Sequence, residues 1–142
     1  MNQEPVRALL ITRSEDEREL YSLGLRGFGI GVTTARDAEE GTFIAGIREF
    51  DVLVLAVVAP RADGWRECEI LRRHPATSGL PLIALSASLR EDRANREHAR
   101  RIGCAAFVGL PCLPEHLSII LRRVLSGEPY IEYVGLQSRE HC

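Results

Sequence analysis

Residues Val52-Leu53-Val54-Leu55 are apolar without interruption and alternate β-branched valine with γ-branched leucine. A run this short and continuous reads as a fully buried strand. Pro60 and Asp63-Gly64 then mark a turn, and Trp65 opens a helical pattern. The same alternation occurs five times along the chain. Strand patterns fall at Val6–Ile11, Gly29–Thr34, Val52–Leu55, Leu80–Leu85 and Ala105–Gly109. Between them lie helical patterns. The first starts at Ser14 with capping-box spacing to Glu17, and carries Leu20, Leu23 and Phe28 partly on one face. The second, Asp37 to Phe50, turns Phe43, Ile44 and Ile47 inward, and the third, Gly64 to His74, buries Cys68 and Leu71. A highly charged fourth runs from Arg90 to Ile102. The last opens at Leu113-Pro114-Glu115, with proline where a first turn permits it, and carries the stripe Leu117, Ile120, Leu121, Val124, Leu125. Strands alternating with helices predict an α/β fold of (βα)5 units wound on both faces of a five-stranded parallel sheet.

At 142 residues the chain is expected to form one domain, residues 6–126, followed by a tail, 127–142, outside the pattern. Tyr130, Ile131, Tyr133 and Val134 make that tail either a frayed end or a segment that packs on the domain or a partner. A net charge of −2 gives no case for bulk attraction to nucleic acid or membrane. No apolar run approaches a membrane span and no signal-peptide pattern precedes Val6, so the expected location is cytoplasmic. Cys68, Cys104, Cys112 and Cys142 lack metal-binding spacing, and the first three read as small buried residues. His74, His98, His116 and His141 are scattered, with none four residues from another. All 18 basic residues are arginine. Mechanisms that need an ammonium side chain are excluded.

Open parallel sheets place their chemistry in the loops that follow the strands. The stretch that leaves the third strand reads Leu55-Ala56-Val57-Val58-Ala59-Pro60-Arg61-Ala62-Asp63-Gly64. This segment resembles the Asp-x-x-Met-Pro-x-x-Asp-Gly motif of the receiver domains of bacterial response regulators, with Ala56 where that family carries its phosphoacceptor aspartate. Val32-x-Thr34-Ala35-x-Asp37-x-x-Glu40, Pro81-Leu82-Ile83-Ala84-Leu85-Ser86-Ala87 and Gly103-Cys104-Ala105-Ala106-Phe107-Val108-Gly109-Leu110-Pro111 fall in the corresponding family places. The resemblance runs from about Arg7 to Leu125. It implies the flavodoxin-like receiver fold with strand order 2-1-3-4-5, and a cis peptide bond at Leu110-Pro111.

The family's charged functional residues do not carry over. Its two Mg²⁺-holding acids correspond to Thr12 and Arg13, its phosphoacceptor to Ala56 and its lysine to Leu110, whereas the switch hydroxyl and switch aromatic match Ser86 and Phe107. Aspartyl phosphorylation needs a carboxylate nucleophile, plus a metal and a cation to neutralise the phosphoryl oxygens. Ala56 has no nucleophile. A divalent ion about 4 Å from the Arg13 guanidinium would meet roughly 8 kcal/mol of repulsion at an effective dielectric near 20. No cofactor is expected, and Mg²⁺ binding is not expected.

These residues predict a pseudo-receiver, not an enzyme, that acts by phosphorylation-independent protein binding in two-component-type signalling. Its partner would be a signalling kinase, a regulator or an output protein, with a homodimer as a further arrangement and neither nucleic acid nor membrane bound. Arg90, Arg93, Arg96, Arg100 and Arg101, interleaved with Glu91, Asp92 and Glu97, read either as a solvated face or as a docking face. In receivers the fourth helix, fifth strand and fifth helix form a common partner surface. The resemblance therefore makes Arg93, Arg96, Arg100 and Phe107 the candidate contact residues. Two other readings stand beside this one: phosphorylation by an unorthodox route, and a small-ligand sensor that uses the vacated acidic pocket.

Overall fold

The computed structural model describes residues 5–57, 62–86 and 92–133, with the side chains of 62–64 and 92–95 outside the description. The element order is β1 (Val6–Ile11), α1 (Glu15–Arg26), β2 (Ile30–Ala35), α2 (Ala38–Ile47), β3 (Val52–Val57), α3 (Ala62–Arg73), β4 (Leu82–Ser86), α4 (Asp92–Ile102), β5 (Ala106–Gly109), α5 (Pro114–Leu125) and β6 (Ile131–Tyr133). All strands pair in parallel in the order β2-β1-β3-β4-β5-β6. The expected five-strand order is present and is extended by a sixth strand, drawn from the segment set outside the domain. For Ile131–Tyr133, packing on the domain is the alternative that holds.

Each central strand is buried on both faces because its side chains alternate. Ala8, Leu10, Val52, Val54, Ile83, Leu85, Ala106 and Val108 face α1 and α5, where Tyr21, Leu25, Leu117, Ile120, Leu121 and Val124 meet them. Leu9, Ile11, Leu53, Leu55, Leu82, Ala84 and Phe107 face the other way, toward Ala38 of α2, Trp65, Cys68 and Leu71 of α3, and Ala99 of α4. Side-chain caps start the first two helices: Ser14 accepts from the Glu17 N–H at 3.1 Å and Asp37 from the Glu40 N–H at 2.8 Å. Gly103, at φ +99°, ends α4, since it can take the left-handed conformation without a Cβ clash.

The inward face expected of the second helix is corrected at Phe43 and Ile47, while Ile44 is partly buried against the core. Leu20, Leu23 and Phe28 are exposed, as are Phe43 and Ile47. In both helices small residues set the contact. A Cβ on Gly24 would stand 2.4 Å from the Pro114 Cβ, so α1 approaches α5 through Gly24 with Tyr21 and Leu25 alongside. In α2 the buried residues are Ala38, Gly41 and Thr42, and a Cβ on Gly41 would stand 2.8 Å from Ile11 Cδ1. Leu20 and Leu23 of α1 and Phe43 and Ile47 of α2 turn outward.

Cys68, Cys104 and Cys112 are buried free thiols, as expected. Cys68 and Cys104 lie 3.7 Å apart, sulfur to sulfur. The described histidines make structural contacts: His74 Nδ1 accepts from the Ala76 N–H, His98 packs on Trp65, and His116 meets Tyr133. Cys142 and His141 lie outside the described residues.

Gly24→Ala should destabilise the fold by about 1–3 kcal/mol through overpacking, although alanine is the better helix former. The thermal midpoint should fall by roughly 3–10 °C. Leu23→Ala, one residue away on the exposed face, should leave it nearly unchanged.

Candidate functional site

The strands β1, β3, β4 and β5 end side by side at the C-terminal edge of the sheet, and β1 and β3 flank the point where strand order reverses. Register places Ile11 beside Leu55, Ala56 beside Leu85, Val57 beside Ser86, and Ser86 beside Gly109. Thr12, Ala56, Ser86 and Leu110 therefore cluster at this edge, as the sequence expectation requires.

Thr12 is buried and its polar groups are engaged. Its N–H donates to the Ala35 carbonyl at 3.0 Å, its hydroxyl donates to Glu17 Oε1 at 2.7 Å, and its Oγ1 accepts from the Ser14 N–H at 3.1 Å. Arg18 Nη1 donates to the Thr12 carbonyl at 2.8 Å. Arg13 does not point into the site. Its Nη2 lies 2.7 Å from Glu67 Oε2, so it ties the loop after β1 to the helix that follows β3. The repulsion reckoned above for a cation near Arg13 is correspondingly weakened, because the guanidinium is paired and largely exposed.

Ala56 is half-buried in β3 and presents a methyl group at the strand tip. Ser86 is buried at the end of β4, and its carbonyl accepts from the Leu110 N–H at 2.8 Å. The Leu110-Pro111 peptide is cis, as the resemblance implies. Leu110 is half-buried against the core on the α1 and α5 side. Two residues on, Cys112 accepts through its carbonyl from the Tyr21 hydroxyl at 2.5 Å. Burial pushes the Cys112 thiol up to about 12.

Glu17 was not among the sequence candidates, yet it is the carboxylate brought to the buried Thr12. Its capping-box spacing was the available signal. The donors here do not fit Mg²⁺, which wants several hard oxygen ligands in octahedral array. Thr12 gives a hydroxyl already spent on Glu17, Arg13 a guanidinium, and Ala56 nothing. Among the described residues no three His, Cys, Asp or Glu side chains gather as metal ligands do. A shallow cavity of about 380 Å³ opens beside Arg13, lined also by Asp37, Glu39, Arg66 and Glu67. It takes in neither Thr12, Ala56 nor Leu110.

The candidate contact surface is corrected at Phe107. Its ring is 1 % exposed, packed on the α2, α3 and α4 side of the sheet, and β5 is flanked by β4 and β6. It cannot meet a partner directly. Arg96 and Arg100 do lie on the outer part of α4, but both face Glu132 of β6, each at 3.8 Å. The Arg93 side chain lies outside the described residues.

No protein-family model matches the chain. It is 32 % identical, over 76 % of its own length and 43 % of the relative's, to the probable transcriptional regulator ycf27 of Cyanophora paradoxa. The transcriptional regulatory protein GltR of Pseudomonas aeruginosa is 25 % identical over 89 % of the chain and 52 % of that protein. The chain spans about half the length of the curated relatives it matches. Among solved structures, a response regulator from Chloroflexus aurantiacus superposes with a TM-score of 0.74 at 27 % identity, covering 86 % of this chain and 98 % of that one. The chemotaxis response regulator CheY4 of Vibrio cholerae gives 0.71 at 24 % identity, covering 84 % and 98 %.

The Cys112 shift has a definite sign. Its folded value lies above the ordinary 9.0, so its contribution is whole below about pH 9 and is lost as pH rises through 12. Urea midpoints measured from pH 8 to 12 should fall across that window, and less steeply for Cys112→Ala. A Thr12→Val variant should lose about 1–2 kcal/mol at neutral pH, because Glu17 and the Ser14 N–H lose a buried partner.

Proposed function

The chain is a response-regulator receiver (CheY-like) domain, and from that premise we propose that it is a pseudo-receiver, signalling by protein binding without phosphorylation. The observation that carries this reading is Ala56 at the tip of β3, beside a Thr12 hydroxyl already committed to Glu17 and Ser14. Phosphoryl transfer to the domain needs an in-line carboxylate, and a methyl group cannot form the acyl phosphate bond. The cation side is gone as well, since Leu110 stands in the lysine position and packs into the core.

The substitutions are consistent with a sound domain. Removing one member of a buried charge pair costs about 3–5 kcal/mol, whereas replacing both by apolar groups is often neutral or stabilising. Ala56 and Leu110 form such a joint replacement. Without a phosphoryl oxygen to bind, any two-state behaviour at Ser86 is biased by a partner that prefers one state. The partner is a protein of the same signalling apparatus, a kinase, a regulator or an output protein, and the module works in the cytoplasm without a cofactor or enzymatic activity. Among the described residues no helix is long and apolar enough to cross a membrane.

Glu17 supports a second reading, phosphorylation by an unorthodox route, because it is a carboxylate at the correct end of the sheet. One titration separates the two. Trp65, the chain's single tryptophan, is buried on α3, the helix that follows Ala56, and reports through its fluorescence. Adding Mg²⁺ and then beryllofluoride should leave the emission unchanged, while an ordinary receiver responds. The thermal midpoint should move by less than about 1 °C in roughly 10 mM Mg²⁺. A saturable response, or phosphate incorporated from acetyl phosphate and lost in Glu17→Gln, would overturn the pseudo-receiver.

A further inference from the structure

We infer that the β5 edge between α4 and α5 is a docking groove for an extended protein segment, and that β6 is its built-in, displaceable occupant. The inference rests on reading the chain as a protein-binding module, and names where and how a partner is taken. It does not depend on the chemistry at Ala56.

Residues 130–133 fit the groove on both sides of the sheet. Ile131 is buried in the core on the α1 and α5 side, and its N–H donates to the Ala105 carbonyl at 3.1 Å. Tyr133 follows on the same side, with its hydroxyl 2.8 Å from His116 Nδ1 on α5. Tyr130 and Glu132 take the opposite side. The Tyr130 hydroxyl donates to the Arg96 carbonyl at 3.3 Å, and the Arg100 guanidinium lies 4.5 Å from the Tyr130 ring centroid. Glu132 stands between Arg96 and Arg100. The two arginines that the sequence assigned to a partner are thus covered by the chain's own segment.

That cover is lightly held. β6 is three residues long, shorter than most strands. Its two ion pairs are long and partly solvated, a kind that contributes little. The connection from α5 passes through Gly127, at φ +96°, and through Glu128, whose carboxylate pairs with Arg123 at the surface. Elements with few buried contacts open locally while the rest of a domain stays folded. When β6 leaves, β5 becomes an edge with unpaired backbone groups, flanked by Arg96, Arg100 and His116. A strand added there gains ladder hydrogen bonds, and its side chains select it. The matching chemistry is that of Tyr130-Ile131-Glu132-Tyr133: an acid between two aromatics, with an aliphatic anchor on the other face.

Hydrogen exchange on the full chain tests the cover. The amides of residues 131–133 should exchange at least 100-fold faster than those of β1 and β3, through opening that does not require global unfolding. Exchange as slow as in β1 and β3 would make β6 an integral strand and overturn the inference. The groove is tested with a fluorescent peptide of residues 128–135. Ile131→Asp loosens the intramolecular strand, and Tyr130→Ala/Glu132→Ala does so while leaving the buried Ile131 in place. Both variants should bind the peptide at least tenfold more tightly than the wild type, and Arg96→Glu/Arg100→Glu in either background should abolish the gain. Equal affinity for all forms, or no binding by a folded variant whose β6 amides exchange freely, would overturn it. A beryllofluoride response at Trp65 would remove the pseudo-receiver reading and leave these outcomes unaffected, so the two proposals fail separately.

Discussion

The structure depends on the burial of β1 and β3 on both faces. Leu9, Ile11, Leu53 and Leu55 point to one side and Ala8, Leu10, Val52 and Val54 to the other, none more than 1 % exposed. Removing that much apolar surface from water is the dominant gain available to a chain of this size. It requires a helical layer on each face, and successive parallel strands require a crossover between them. Every strand then ends at the same edge, so the residues that follow β1, β3, β4 and β5 meet whatever their chemistry. The gathering of Thr12, Ala56, Ser86 and Leu110 is a consequence of the core.

What those residues can do is a separate matter. The side chains gathered at this edge are either apolar or already paired with a neighbour. Ala56 and Leu110 add apolar surface where a charge pair would need desolvation. Thr12 and Arg13 keep polar atoms, and the structure satisfies them with neighbours, Glu17 from α1 and Glu67 from α3. Both residues are thereby bound into the local scaffold. The buried strand-end hydroxyl of Ser86 thus sits at an edge shared with apolar Ala56 and Leu110.

The opposite flank of the sheet solves an edge problem. A β5 left open would present unpaired backbone groups, and β6 pairs them while Tyr130 and Glu132 occupy the α4 arginines. The same contacts remove the surface through which the helix would meet another protein. Phe107, inside the sheet sandwich, is too deeply buried to contribute to such a surface in any direct way. Protection of the edge and recognition of a partner therefore compete for one groove.

Local pattern settled a good deal. The continuous apolar run at Val52, the five strand-helix alternations and the proline-opened stripe of α5 are properties of neighbouring residues, because side-chain periodicity is local. The identities of Thr12, Arg13, Ala56 and Leu110 and the absence of lysine are legible for the same reason. Tertiary structure decided what depends on distance across the chain. Gly24 against Pro114 and Gly41 against Ile11 set how close the helices come, and so turned Leu23 and Phe43 outward. Arg13 found Glu67, and Arg96 and Arg100 found Glu132, over separations that no local periodicity encodes. The strand β6 exists because β5 offers it an edge: three residues have no intrinsic reason to extend until a neighbour supplies the hydrogen bonds. The sequence by itself determined which groups the domain possesses, and only the fold decided which of them meet.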